Sequence, residues 1–298
     1  MTHITAGDVT PVTIQNESTY GTPTGAVFYY GEVAEGGNFT FKDTPNPYIN
    51  WRYGSRSFDP SAYVTQQKDA AFSATLEVID LSGWSAIITN AVGIGGSTAS
   101  DPLLPSRTED IMVKLGASDW RGRVYNGCKT DKLTIKADAP GGIVQFTEDV
   151  MAMKGAIEMV NTAKAAWTHN GAAVQWLNGI TVNGTEIYPQ SFELSIANNL
   201  DRVRGKDSSG NIVTLALLEG RREIELKMDV WMEDLTYINN AIDNSNISGS
   251  VVLVLGKTYA KTITLSGCKY MADGQLPSLI QDKQKQTIRI RAANFHVS

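Results

Sequence analysis

The chain has 298 residues, of which 42% are hydrophobic and 19% charged, and its formal net charge at pH 7 is −5. This composition is typical of globular proteins and excludes a wholly disordered chain. The negative balance argues against tight wrapping of nucleic acid, which needs basic surface. No apolar run approaches the roughly 20 residues that span a bilayer, so we expect no membrane partner. The length predicts two domains.

Alternating apolar and polar residues, which place one face of a strand on a core, dominate the first half of the chain. In chain order they occur at 39–41, 72–78 and 133–137. A short helix is predicted after the N-cap residue Ser82, because four apolar residues follow helical spacing: Trp84, Ile87, Ile88 and Ala91. Residues 93–110 are small and polar, which predicts an exposed loop.

The second half has the same kinds of element. Alternating strands are predicted at 192–196, 224–230 and 288–291, and Asn183-Gly184 predicts a tight hairpin because both residues tolerate positive φ. A second short helix is predicted by apolar residues that follow the N-cap candidate Asp234: Leu235, Ile238 and Ile242. Each half is therefore expected to be a mostly β unit with one short helix packed on it.

The two halves also share short sequences in the same order. Gly127-Cys128-Lys129 recurs as Gly267-Cys268-Lys269 at an offset of 140, and the helix-like runs 87–91 and 237–241 recur at an offset of 150. A repeat of this length indicates a duplicated domain rather than a solenoid module. We predict a division into 1–160, with an N-terminal arm and a long loop, and 161–298, which begins with a connector. Residues 155–178 are rich in alanine and other small residues, which fits either a short helix or an extended connector, and we assign a connector.

Catalytic and metal-binding patterns are missing from the sequence. The three histidines have no metal-ligand spacing. The two cysteines lie at equivalent places in the two halves, each beside a turn glycine and without other ligands, so they are expected to be reduced core residues. Adjacent acids occur as Glu109-Asp110, Glu148-Asp149 and Glu233-Asp234. Neighbours on a strand point to opposite faces, so these acids are interpreted as surface residues rather than a catalytic pair. We expect no cofactor and no enzymatic activity.

Two long segments, 43–68 and 198–222, lack a clear period. Loops of this length are uncommon in compact domains unless they are functional. Both carry arginine or aromatic residues, which are enriched at protein interfaces. We therefore predict that they contact neighbouring chains, with these candidates: Trp51, Arg52, Tyr53, Arg56, Arg202, Arg204, Arg221 and Arg222.

One series of residues carries a family resemblance. Gly184-Thr185-Glu186-Ile187 leads through strand 191–196 to Asn198-Asn199-Leu200 and then to Glu219-Gly220-Arg221-Arg222. The series resembles the major tail tube protein of long-tailed bacteriophages or related prokaryotic viruses. The resemblance implies a β-sandwich with a flanking helix, whose inner sheet joins those of its neighbours in rings of six units around a channel. This sequence departs from the commonest pattern of the family because the repeat indicates that it holds the unit twice. The predicted fold is therefore mostly β, with tandem duplicated β-sandwich, tail-tube-like units and a short flanking helix in each.

The resemblance also implies a function and partners. The protein would polymerise into stacked rings that form the tail tube, the conduit for viral genome ejection, and the duplication favours three chains per ring. A tape measure protein, a tail terminator and baseplate or tail-tip proteins are implied, in a virion tail made in the host cytoplasm. Viral DNA would pass without specific binding along a net acidic wall, with Glu77, Glu225 and Asp229 as channel-lining candidates.

A second interpretation remains open on the sequence alone. A two-domain β-sandwich could bind carbohydrate or a cell surface through exposed aromatic residues, which stack on sugars. The candidates are Trp51, Tyr53, Trp120 and Trp167. A binding module stays a monomer or small oligomer, whereas a tube protein forms rings or filaments, so the size of the assembled particle distinguishes the two.

Overall fold

A computed structural model describes residues 11–33, 39–41, 44–49, 63–77, 81–93, 103–114, 120–160, 176, 179–206, 208, 212–231, 236–256, 261–271 and 285–298. The described residues are mostly β, as predicted. Those of the first half form β1 (Pro11–Thr19), β2 (Thr22–Val33), β3 (Phe39–Phe41), β4 (Thr44–Ile49), β5 (Tyr63–Glu77), α1 (Leu81–Val92), β6 (Arg107–Lys114), β7 (Trp120–Ala137), β8 (Gln145–Ala152) and β9 (Lys154–Val160).

The second half continues with eleven described strands, six before a second short helix and five after it. In chain order these are β10 (Ile180–Val182), β11 (Thr185–Ile187), β12 (Ser191–Ala197), β13 (Asp201–Lys206), β14 (Ile212–Leu218), β15 (Glu223–Trp231), α2 (Thr236–Ile242), β16 (Val251–Leu255), β17 (Lys261–Ser266), β18 (Lys269–Met271), β19 (Lys285–Ala292), β20 (Asn294–Val297). Asn183 and Gly184 join β10 to β11 with φ of 50° and 81°, which confirms the predicted tight hairpin.

Several predicted loops are strands. Residues 198–222 contain the hairpin of β13 and β14, and within 43–68 β4 pairs with β5, while 50–62 lie outside the described residues. Residues 155–160 belong to β9 rather than to a connector, and 107–110 are buried in β6 rather than exposed. The sequence missed these strands because they do not alternate apolar and polar residues, so pairing and burial decide their structure.

Strand β7 is 18 residues long and pairs in two parts within one 13-stranded sheet. Its first part pairs with β6 and β9, and its later part pairs with β8 and β12. Gly127 lies between the two parts with φ of 65°, a backbone conformation that glycine adopts without a steric cost. The strand therefore turns from one layer of the sandwich to the other.

The core lies between the layers and is continuous from one half of the chain to the other. On β5, β8, β12 and β15 buried residues alternate with half-buried or exposed ones, as a strand with one face on a core requires. Helix α1 adds Ile87, Ile88 and Ala91 to the core, as predicted. On α2 the prediction fails at Ile242, whose side chain is exposed.

Strand pairing follows the same scheme in the two halves. In the first half β7 pairs with β6 and β9, and in the second half β17 pairs in the same way with β16 and β20. Likewise, β8 pairs with β5 and β7, as β19 pairs with β15 and β18. Gly267, between β17 and β18, has φ of 63°, close to that of Gly127. The tandem duplication and the division at residue 160 stay predictions, and these matched pairings support them.

Candidate functional site at the joint between the halves

The two halves are joined by a pair of antiparallel strands. Residues 132–137 of β7 pair with residues 192–197 of β12, so one sheet passes from the first half into the second. In strand order this sheet runs β3, β5, β8, β7, β12, β15, β19 and β18. We call it the long sheet. Its backbone hydrogen bonds cross the joint without a break, as they would inside one domain.

Asn198 stabilises the joint directly after β12. Its side chain is buried, and Nδ2 donates hydrogen bonds to the carbonyl oxygens of Ala91 and Thr130, both at 3.0 Å. The Oδ1 atom accepts a hydrogen bond from Arg222 Nε at 3.0 Å. An asparagine side chain has two N–H donors and an acceptor oxygen, so it meets all three partners at once. The second half is thereby fixed to the end of α1 and to β7.

Other residues of the series that carries the family resemblance also contact β7 or residues next to it. Asp131 Oδ1 accepts a hydrogen bond from the backbone N–H of Leu200 at 2.8 Å. Glu219 Oε1 accepts from Lys129 Nζ at 2.8 Å and from the backbone N–H of Leu104 at 2.9 Å. Ion pairs that are mostly shielded from water, like this one, are screened less by salt than surface pairs. The Asn-Asn-Leu and Glu-Gly-Arg-Arg sequences therefore build a joint between units of β structure.

The hairpin of β13 and β14 is anchored on the first half through Arg202. The guanidinium donates to the carbonyl oxygens of Ala70 and Ala152 at 2.6 and 2.7 Å and lies 3.9 Å from Asp69. Burial lowers the pKa of Arg202, and the nearby Asp69 carboxylate opposes that shift. Arg204 also bonds Asp69, at 3.2 Å. The hairpin is thus held in a defined position beside β5.

The predicted contact residues fall into three groups. Arg202 and Arg222 make contacts within the chain, so their side chains are not simply available to another chain. Arg204 and Arg221 are exposed. The other candidates lie outside the described residues: Trp51, Arg52, Tyr53 and Arg56. The contact role of all eight residues stays a prediction.

Two of the channel-lining candidates, Glu225 and Asp229, lie on the face of the long sheet that is turned away from the core, which we call the outer face. Glu225 accepts hydrogen bonds from Arg289 at 2.5 and 2.6 Å. Asp229 accepts from Ser191 at 3.0 Å and from Thr287 at 2.7 Å. The backbone of Glu77 ends β5, and its side chain lies outside the description.

Bases also lie on the outer face. On neighbouring strands, exposed Glu193 is opposite Lys136 on one side and Lys227 on the other. Opposite charges at facing positions attract across a sheet. Described bases therefore lie among the described acids of this face, and the net acidic channel wall stays a prediction.

A buried charged cluster was not predicted from the sequence. Arg107 donates from Nε to Glu109 at 2.5 Å and from Nη2 to Glu148 at 2.6 Å, and Thr130 donates to Glu148 as well. Burial raises the pKa of Glu109 to about 8, although Arg107 opposes the shift. Glu109 and Glu148 are therefore core residues rather than surface acids. The sequence did contain a signal for the burial of Glu148. In β8 alternate residues face the core, and Glu148 lies midway between Phe146 and Val150, which are both buried.

The comparison with protein families agrees with this architecture. The sequence profile of the phage tail tube protein family matches residues 7–295. The chain belongs to the phage tail tube protein family. The comparison with curated proteins gave no match.

Membership in a tail tube family has direct consequences for the protein. Phage tail tube proteins are structural components of the virion tail, and they assemble with copies of themselves and with other tail components. A structural family favours a role without catalysis. In the described ranges no helix is long and apolar enough to cross a membrane.

Proposed function

We propose that three chains close into a ring in which six β units surround a channel. The pairing of β7 with β12 carries this proposal, because it joins two similarly paired units edge to edge inside one chain. A duplicated chain supplies two units, and the six-unit ring implied by the resemblance then needs three chains. Head-to-tail interfaces of this kind generate closed rings when the rotation between units closes.

The ends of the long sheet indicate how one chain meets the next. Among the described residues, the sheet ends at β3 on one side and at β18 on the other. β18 pairs with β19 as the later part of β7 pairs with β8, and β3 pairs with β5 as β12 pairs with β15. We infer that β18 of one chain pairs with β3 of the next, as β7 pairs with β12. Pairing of this kind removes strand edges that would otherwise promote aggregation.

The outer face of the long sheet would then line the channel. Glu225 and Asp229 would lie on that wall in contact with Arg289 and Thr287. Paired charges bind phosphates weakly, because a duplex is held by unpaired basic groups that displace its counterions. The viral genome would therefore pass during ejection without specific binding.

The assembled tube would work as part of a complete tail. A tape measure protein, a tail terminator and baseplate or tail-tip proteins are the partners that such a tube requires. The chain would be made in the host cytoplasm and incorporated into the virion tail. Its role in this proposal is structural, without a cofactor and without catalysis.

The mass of an isolated ring tests the number of chains. We expect three times the 32.3 kDa of one chain by native mass spectrometry, and threefold symmetry of the chains in images of assembled tubes. A ring of six chains would contradict the proposal. A protein that stays monomeric at high concentration would support a binding module instead.

A further inference from the structure

The buried charged cluster connects the two layers of the first half. Arg107 lies on β6, in the layer of β1, and Glu148 lies on β8, in the long sheet. The Arg107 guanidinium donates to Glu109 on its own strand and to Glu148 across the core. The side chains of all three residues are at most 1% exposed. At this point the layers are therefore held together by charged groups that water does not reach.

The cluster contains one more acid than it has bases to balance. If Glu109 and Glu148 were both ionised beside the single guanidinium of Arg107, one negative charge would be buried without compensation, which is costly. Thr130 gives Glu148 a second donor, whereas Oε2 of Glu109 has no hydrogen-bond partner within the described ranges. Burial also raises the pKa of Glu109 to about 8. The geometry therefore places one proton on Glu109 at neutral pH and leaves Glu148 ionised.

The charged groups around Glu109 are mostly acidic. Tyr125 lies opposite Glu109 on β7, and the guanidinium carbon of Arg123 lies 5.3 Å from the centre of the tyrosine ring. In the described part of the chain, the groups that act on Glu109 or on the adjoining thiol are Arg107 and Asp110 of β6, Glu148 of β8, Cys128 of β7 and Glu17 of β1. Within this set Arg107 is the base that balances the cluster, and its charge balances one carboxylate.

The matched positions of the second half are filled by apolar side chains. Ile288 of β19 lies 140 positions after Glu148 of β8, the offset at which Gly-Cys-Lys recurs. Val251 of β16 meets β17 at the residue that matches, at the same offset, the one where Glu109 meets β7. Both Ile288 and Val251 are buried. Apolar groups often replace a buried ion cluster without loss of stability, so the strand arrangement does not itself require charge here. The charge in the first half therefore indicates a role other than packing.

We propose that the cluster is a proton-dependent tie between the layers of the first half, which is closed while Glu109 holds a proton and opens the core around Cys128 when that proton is lost. Ionised Glu109 leaves a net negative charge that only water can solvate, and water reaches it when β6 and β8 separate. The second half has apolar groups at the matched positions and stays closed. The inference concerns the folded chain and does not depend on the proposed ring.

Two buried cysteines report on the two halves separately. Cys128 lies opposite Arg107 on β7, beside the cluster, and Cys268 lies 140 positions later in the second half. Both thiols are free and buried, and burial raises the pKa of each. A buried thiol reacts with a reagent in solution only after the core around it opens. Because both thiols titrate in the same solvent once exposed, the ratio of their labelling rates compares the opening of the two halves.

Labelling of the native chain with iodoacetamide, followed by peptide mass spectrometry, tests the proposal. We expect the labelling rate of Cys128 relative to Cys268 to rise about tenfold between about pH 7 and about pH 9. At the lower pH the closed state holds the proton about ten times more often than not, and at the higher pH it has mostly released it. The proton therefore favours the closed state about tenfold less at the higher pH.

Three glutamine variants separate the cluster from other acids. Glu109→Gln and Glu148→Gln each remove the excess acid while nearly keeping its shape, so the ratio of labelling rates should stay constant with pH in both. Glu225→Gln, on the outer face of the second half, is the control and should keep the tenfold rise. A constant ratio in the wild-type protein would overturn the proposal, as would an unchanged rise in both cluster variants. Equal acceleration of both thiols would show that the whole chain opens together, and it would overturn the assignment to the first half.

Discussion

At Asn198 a single side chain holds together three parts of the molecule. Its amide donates to the end of α1 and to the middle of β7, and its oxygen accepts from Arg222, in a site that water does not reach. Aspartate has nearly the same shape but no N–H donors. In its place a carboxylate oxygen would face the carbonyl oxygens of Ala91 and Thr130, and neither hydrogen bond could form. The identity of this residue therefore matters more than its size.

Asn198→Asp should lower the free energy of unfolding by about 2–4 kcal/mol, the cost of a buried group without its partners. The control is Asn199→Asp, which changes an exposed neighbour whose single side-chain hydrogen bond, to the Arg221 carbonyl, is also exposed. Urea unfolding of both variants measures the difference. Equal losses at the two positions would show that the joint does not depend on Asn198.

Glu109 predicts a pH dependence of stability in the first half. Burial raises its pKa from 4.5 to about 8, so the folded protein binds a proton that the unfolded chain has released. The stabilisation is complete below about pH 4.5 and is lost as the pH rises through about 8, at a slope of at most about 1.4 kcal/mol per pH unit. Glu109→Gln, which keeps the shape without the titration, should flatten the decrease between these values in urea titrations. An unchanged slope would contradict the assignment.

At the scale of the elements, one glycine in each half marks a change of strand direction: Gly127 within β7, and Gly267 between β17 and β18. Gly127 and Gly267 have φ of 65° and 63°, and a Cβ atom at either position would lie 2.7 or 2.8 Å from the Cβ of Met153 or Ala293. The residues that they meet are 140 positions apart, as are the glycines themselves. The recurrence of Gly-Cys-Lys therefore reflects one backbone requirement, met once in each half.

Gly127→Ala and Gly267→Ala should each lower the free energy of unfolding by about 2–4 kcal/mol, through left-handed backbone strain and the steric clash together. Gly141→Ala is the control, because its φ of 79° carries the same strain while a Cβ there meets nothing within 4 Å. Its loss should be about 1–2 kcal/mol. Losses from Gly127→Ala and Gly267→Ala that differ by several-fold would argue against equivalent positions in the two halves.

For the whole molecule, the charge of the outer face decides how a tube would treat DNA. Acids interspersed with bases would hold the genome weakly, and added positive charge on this face should change DNA retention inside the tube only if the face lines the channel. Glu193 is exposed between Lys136 and Lys227, and Lys227 is opposite Arg289, so a lysine at position 193 would complete a row of four bases across the sheet.

Tubes of Glu193→Lys should retain duplex DNA at low salt, and wild-type tubes should not. Retention should fall about tenfold or more between about 50 and 200 mM salt, because released counterions drive phosphate binding. Thr185→Lys adds a positive charge to the exposed hairpin of β10 and β11 and should leave DNA retention inside the tube unchanged. Equal retention by both variants in a filter or co-sedimentation assay would place the channel on a different face.

The sequence by itself determined the β-rich class, the Asn183-Gly184 hairpin and helix α1. Each depends on local periodicity or on a turn that two residues specify. It also indicated the family, because the Asn-Asn-Leu and Glu-Gly-Arg-Arg residues are concentrated in one stretch, and the matched family covers residues 7–295.

Only the tertiary structure decided which residues are buried and which residues contact one another. The acids at 109 and 148 looked like surface groups, and they are buried because strands β6 and β8 bring both of them to Arg107. The segment 198–222 looked like a loop, and it is a hairpin because Arg202 and a small core around Leu104 fix it on the first half. Glu148 is 41 positions from Arg107, and Ala70 is 132 positions from Arg202. Local patterns do not contain such contacts, which exist only once the strands have paired.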